Sequence, residues 1–246
     1  MKNTLSTLAI LSTLILGSCS KSNDNTNPIV SLPQTYTEDI RSSALNSLTT
    51  YNLTYDGNFR LLSMVSVPEP SVSKFIFQYP TSLTATMDMY NGTDLGIHED
   101  IWLTTAGFAD STLQYNDTQD TTTEKYFYDA GNLLQKANYY DYHSTGSVLT
   151  KTSIYTYDVF GNALTQTDSP GGLFYTYTYY NVPNTSSIGN SFIPGSANLL
   201  RSTTVDVSGV LTTAMHFYSF DGSNRVIKDS ISTTGTDLVV VKSYTY

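Results

Sequence analysis

From Thr49 onward one short pattern keeps returning. A stretch of alternating residues ends in an aromatic, Asp follows with Gly or Asn close behind, and an aliphatic residue restarts the chain. Four copies are plain: LTYDGNFRLL at 53–62, YFYDAGNLL at 126–134, YTYDVFGNAL at 155–164 and YSFDGSNRVI at 218–227. Fainter ones are FIFQYPTSL at 75–83, YTYTYYNVP at 175–183 and SYTY at 243–246. Tyr, Phe, Thr, Val and Ile suit a pleated, half-buried strand. Aromatics two residues apart share one face of it. An Asp at the head of a turn accepts hydrogen bonds from the turn's own backbone. Gly or Asn then supplies the left-handed backbone that tight hairpin turns require. Asp56, Asp129, Asp158 and Asp221 are therefore expected to be turn-structural. Gly131-Asn132, Gly161-Asn162 and Asn224 stand at the left-handed positions. Each copy reads as a β-hairpin.

Further strands fit between the copies. Residues 98–104 and 111–115 flank a turn at Thr105-Ala106-Gly107, residues 202–207 and 210–218 flank Ser208-Gly209, and 237–246 make a last strand. The expected fold is all-β: an antiparallel meander of hairpins with roughly 11–15 strands of ordinary length, curved into a sheet or a partly open barrel. Asp129 and Asp158 lie 29 residues apart, but the other intervals are irregular, so the repeat is degenerate. Within 35–50, Ile40, Ala44, Leu45 and Leu48 fall at helical spacing with Thr37 as a cap, which predicts a short helix or an irregular segment. Residues 183–198, rich in Pro, Ser, Gly and Asn, predict a long loop.

The first residues carry a different message. Met1-Lys2-Asn3 is a short basic start, Leu5–Leu16 is an apolar run broken only by Ser and Thr, and Leu16-Gly17-Ser18-Cys19 follows. That is the layout of a secretory signal peptide. The run is too short for a spanning helix, which needs about 20 apolar residues. The expected organisation is a signal peptide at 1–18, Cys19 and a flexible tether over 19–34, and a single β domain at 35–246. Cys19 is the only cysteine, so the fold has no internal disulfide.

Composition narrows the partners. The net charge is −9, without the basic patch that nucleic acid demands. Charged residues make up 13 %, well below the usual quarter, while 20 tyrosines raise the aromatic share. Such a chain is neither disordered nor rich in aliphatic core. No catalytic residue, cofactor or metal is expected. His98, His143 and His216 share no ligand spacing. Each turn Asp offers one carboxylate where calcium needs several oxygens. Glu38-Asp39 and Glu99-Asp100 are adjacent on candidate strands, so each pair points to opposite faces. There is no nucleophile elbow, zinc-protease or phosphate-loop motif.

Tyr157-Asp158-Val159-Phe160-Gly161-Asn162-Ala163-Leu164 resembles the signature of YD-repeat (Rhs-type) β-hairpin proteins. Tyr128-Asp129 is similar with one residue fewer, and Tyr55-Asp56 and Phe220-Asp221 match in part. The segment around Cys19 resembles the lipobox of bacterial lipoproteins, which implies cleavage before Cys19 and diacylation (palmitate) of its sulfur. Together these features resemble a family of Gram-negative envelope lipoproteins with a porin-like, curved antiparallel fold and no assigned function. The resemblance implies an outer-membrane, lipid-anchored protein.

Three functional classes follow from this reading. The leading one is a non-enzymatic envelope lipoprotein with a structural or interaction role, attached to a membrane by its lipid and meeting a protein or polysaccharide partner. The second is a binding module or carrier for a glycan or lipid in a Tyr-lined cavity. The third is a hydrolase built from residues distant in sequence.

Overall fold

The computed structural model describes residues 32–44, 46–67, 73–116, 121–143, 146–184 and 192–246. The signal segment, Cys19 and most of the expected tether lie outside these residues, as does the His143 side chain. Sixteen strands run in chain order: β1 (Thr35–Arg41), β2 (Asn46–Tyr55), β3 (Leu61–Val67), β4 (Ser73–Thr81), β5 (Thr84–Asn91), β6 (Asp94–Leu103), β7 (Ala109–Asn116) and β8 (Thr121–Tyr128). They continue as β9 (Leu134–His143), β10 (Gly146–Tyr157), β11 (Ala163–Ser169), β12 (Leu173–Pro183), β13 (Asn198–Val207), β14 (Val210–Phe220), β15 (Val226–Thr233) and β16 (Val239–Thr245). Each pairs antiparallel with its neighbours in sequence, and β16 returns to β1, so the meander is a closed barrel. Tyr36 faces Tyr244 and Ile40 faces Val240 across that seam. Closure leaves no exposed strand edge.

The all-β antiparallel meander is as expected, and four details differ. The strand count exceeds 11–15, and the barrel closes fully. Residues 35–50 are not helical: they form β1 and the start of β2. Their β-branched Thr residues and the two-residue alternation of buried Tyr36 and Ile40 outweigh the helical spacing, because the seam needs two paired strands there. Nor is the tether free as far as residue 34. Pro33 is fully buried, and Gln34 hydrogen-bonds Thr245 and Leu53 through its backbone.

The Asp turns share one geometry. In each, the Asp amide donates to the carbonyl four residues on, and the amide three residues on donates back to the Asp carbonyl. One carboxylate oxygen then collects two more amides, at 2.8–2.9 Å in all four turns. The other oxygen takes a side chain: Arg60 on Asp56, Gln135 on Asp129, Asn162 on Asp158, Arg225 on Asp221. The fourth turn residue is always left-handed: Phe59, Asn132, Gly161 and Asn224. In the second copy Asn132 takes that place and Gly131 does not. A fifth turn has the same backbone bonds with Thr104 in place of Asp and Gly107 as the left-handed residue.

All five turns lie on the rim where the described chain begins and ends, here the near rim. A second device secures it. Tyr79, Tyr128, Tyr157 and Tyr246, at the ends of even strands, each donate a hydroxyl to the residue that opens the preceding odd strand. Their acceptors are the carbonyls of Leu61, Ala109, Leu134 and Val226, at 2.6–3.0 Å. All four acceptor residues are buried. The Arg60 and Arg225 guanidiniums, held by their turn aspartates, lie 4.1 and 4.2 Å over the Tyr79 and Tyr246 rings. Tyr55 ends β2, and no such turn precedes β1. Its buried hydroxyl has no partner among the described residues.

Residues opposite one another share a face, so burial identifies the inside. Two buried clusters sit there: one around Tyr36, Leu53, Leu61 and Met64, the other around Ala85, Ile101, Tyr126, Leu134 and Ala137. The β12–β13 connection crosses toward the second cluster. Phe192 accepts the Ala109 amide at 2.6 Å and packs on Tyr79. The outer wall mixes exposed apolar side chains, among them Trp102, Phe127, Ile154 and Phe217, with polar ones. Thr35–Thr245, Thr37–Thr50, Thr54–Ser63, Thr156–Thr165 and Thr204–Thr213 form cross-strand hydroxyl pairs.

These details give two tests by thermal melting. Gly161→Val forces a β-branched residue to φ +87° and should cost about 2 kcal/mol. Gly131→Ala, whose backbone is not left-handed but whose Cβ would come 3.3 Å from the Asp129 Oδ1 that holds the turn, should cost less, about 1 kcal/mol. Tyr157→Phe should cost about 1 kcal/mol by stripping the Leu134 carbonyl, whereas Tyr55→Phe should be neutral or stabilising.

Candidate functional site

The inner wall of a sixteen-stranded barrel stands too far apart for its side chains to fill the space between, as sixteen-stranded porins with aqueous channels illustrate. Exposure agrees. Many inward side chains, among them Tyr51, Phe77, Met87, Gln114, Tyr139 and Tyr177, are half-buried rather than buried. Lys151 faces inward opposite Tyr139, yet its side chain is 38 % exposed. The lumen is therefore open to solvent.

Its wall is aromatic with polar groups in phase. Alternation sets this pattern: Tyr36 and Glu38 on β1, Glu124 and Tyr126 on β8, Lys151, Ser153 and Tyr155 on β10, Lys242 and Tyr244 on β16 all lie two residues apart. Over β6–β12 the polar groups join into a network. The Thr112 hydroxyl bonds Glu99, and Tyr126 donates to Glu124 at 2.5 Å. Ser153 donates to the buried Asp168 at 2.7 Å, and Gln166 donates to the same oxygen at 2.9 Å. Tyr177 donates to Gln166 at 2.8 Å. Lys151 lies 3.9 Å from Asp168 and 3.8 Å over the Tyr139 ring. Its charge also acts on Glu124. A second group lies on β14 and β15, where His216 Nδ1 approaches Asp229 at 3.1 Å and stacks on Tyr218.

Burial is the main electrostatic influence. It pushes Glu99 up to about 7, helped by the negative charge of Glu124, which burial also raises. Tyr155 and Tyr179 are pushed up to about 12 by the same cause. On the outer wall the hydrogen bond to Asp88 holds His98 above its usual value. Glu99 points inward, and Asp100, on the outer face, sits 3.4 Å from His98.

The turn residues Asp56, Asp129, Gly131, Asp158, Gly161 and Asp221 belong to the near rim, spread around it rather than gathered. A shallow groove of about 400 Å³ opens beside the third turn, lined by Phe160, Leu164, Tyr179, Tyr180 and Asn181. Among the described residues, no three His, Cys, Asp or Glu side chains are grouped to hold a metal. Glu124, Lys151 and Asp168 were missed by motif reasoning. The available signal was their two-residue spacing from inward tyrosines, in phase on the same strand.

The shift of Glu99 has a direct consequence. A carboxyl whose folded pKa stands above its unfolded value of 4.5 opposes folding once it is charged. Stability should be highest below about pH 4.5 for this group and decline as pH rises toward 7. Glu99→Gln should remove that slope and stabilise the fold at pH 8 by on the order of 2 kcal/mol, seen as a higher melting midpoint, with little change at pH 4.5. Melts of both proteins at the two pH values check it.

The barrel is similar to two solved structures. A porin-like protein from Bacteroides uniformis ATCC 8492 superposes with a TM-score of 0.65 at 15 % identity, over 86 % of this chain and 95 % of that one. A porin-like protein from Bacteroides vulgatus ATCC 8482 gives 0.60 at 11 % identity, over 88 % and 99 %. At these identities the likeness is one of fold. No protein-family model matches the chain, and no curated protein does.

Proposed function

We propose that the chain is a non-enzymatic barrel of the cell envelope, held to its membrane by a lipid on Cys19 and not by crossing the bilayer with its strands. The observation that carries this reading is the outer wall. A membrane-spanning barrel turns an apolar band about 25 Å tall toward lipid. Here the corresponding faces do carry exposed Trp102, Phe127, Ile154 and Phe217, but these are interrupted by threonine and serine pairs, the Asp39–Arg41 ion pair, the Asp88–His98 pair and Lys125 and Lys136, so no unbroken apolar band forms. Buried in lipid, those charges would each cost several kcal/mol. The signal-like start and the residues around Cys19 supply the alternative attachment. The porin-like neighbours are consistent with an envelope protein.

A carrier role is the second reading, favoured by the open lumen and its half-exposed tyrosines. The first test is fractionation of Cys19→Ser in a Gram-negative host. The variant should leave the membrane fraction and appear soluble. Because losing Cys19 also removes the expected cleavage point, the decisive form replaces residues 1–19 with a cleavable signal that has no lipid-attachment cysteine; its retention after an alkaline wash would mean that the strands themselves are embedded, and the reading would fail.

A further inference from the structure

We propose that the inner wall over β8–β12 is a binding site for a neutral oligosaccharide, whose hydroxyls would bond Glu124, Lys151 and Gln166, with the buried Asp168 holding Gln166 and Lys151 from behind, while its ring faces stack on Tyr155 and Tyr177. The inference needs the open lumen and is independent of how the barrel is anchored.

Charge selects the ligand class. Lys151 stands between Glu124 and Asp168, so donors and acceptors alternate within one patch. A cation would gain from the two carboxylates and meet Lys151; an anion would meet the reverse. A lipid chain would cover Lys151 and Gln166 without returning their hydrogen bonds with water, a loss of the kind that keeps polar groups out of apolar sites. A polyhydroxylated neutral chain uses both signs at once, because each hydroxyl both donates and accepts.

Shape points the same way. Ala137 and Ser153 oppose one another on β9 and β10 and are fully buried, so larger neighbours close over them and form the surface of the patch. On the flanking strands, Tyr126 is opposite Ala137, and Asp168 is opposite Ser153. Gln166 lies between Tyr155 on one side and β12 on the other, held by the Tyr177 hydroxyl. Among the described residues, the Tyr155 and Tyr177 rings stack on no other ring. A sugar presents flat C–H faces and an edge of hydroxyls, which matches aromatic planes bordered by amide, carboxylate and ammonium groups.

The test is calorimetric titration of the purified full chain with maltohexaose, cellohexaose, chitohexaose, xylohexaose and mannohexaose at millimolar concentration, with spermidine and citrate as charged comparisons. At least one hexasaccharide should bind. Lys151→Met and Gln166→Ala should each weaken that binding about tenfold, the value of one well-placed hydrogen bond. Lys136→Met on the outer wall should leave it unchanged. Melting curves establish that each variant is folded; Gln166→Ala removes no charge and carries the test if Lys151→Met does not fold. The proposal is overturned if none of the five sugars binds, if only spermidine or citrate binds, or if folded Gln166→Ala binds as the parent does.

Discussion

One carboxylate oxygen accepting two backbone amides recurs four times, and the near rim depends on it. Each turn Asp carboxylate satisfies two otherwise orphaned amides without using a residue of a neighbouring hairpin. That fixes where these four strand pairs end and begin. It also fixes which way the next strand's side chains face, since a slip by one residue would exchange the tyrosine stripe with the threonine stripe. The register shift at each of these turns, for example between Thr156 and Tyr157, is the local adjustment that lets a five-residue turn join two flush strands. The tyrosine hydroxyls that reach back to Leu61, Ala109, Leu134 and Val226 then tie each of these near-rim hairpins to the strand that follows it around the rim.

The tyrosine-aspartate pair thus combines two jobs on adjacent residues. Asp closes the turn ahead of it, and the ring before it turns inward to hold the start of the strand alongside. Because neighbours on a strand point to opposite faces, one dipeptide can serve the rim and the lumen together. The Arg that follows in two turns extends this, bonded to the Asp and lying flat on the tyrosine of the next even strand. Asn162 performs the first of these roles in the third turn and also accepts the Asn198 amide, which ties that turn to β13.

Much of this was legible from residue types. Alternation, turn chemistry and the tyrosine spacing lead to an antiparallel meander, and the meander is what the chain forms. Closure was harder to read. The pairing of β1 with β16 is nonlocal, and β1 lacks the Asp turn that marks other hairpins; its Ile40 and neighbouring apolar residues also fit a helical period. The turn at Thr105-Ala106-Gly107 was legible, but its kinship with the Asp turns was not, because the Thr104 hydroxyl stands where the carboxylate is expected. The lumen was hidden for a different reason. Whether Glu124, Lys151 and Asp168 meet depends on the stagger of five strands, which two-residue periodicity within each strand does not specify. The attachment through Cys19 rests on residue pattern alone, since it falls before the described part.

All but one of the barrel's strand pairings join consecutive segments. Up to the moment that β16 meets β1, the molecule is a ribbon grown hairpin by hairpin, with little loop entropy lost at each step. The seam alone asks the two ends of the chain to find each other. Girth is then a counting property rather than a designed dimension. Inserting or deleting a whole hairpin, with its own turn and tyrosine, leaves every other pairing intact and merely resets where the ring shuts. A lineage of such barrels could widen or narrow its lumen in steps of two strands.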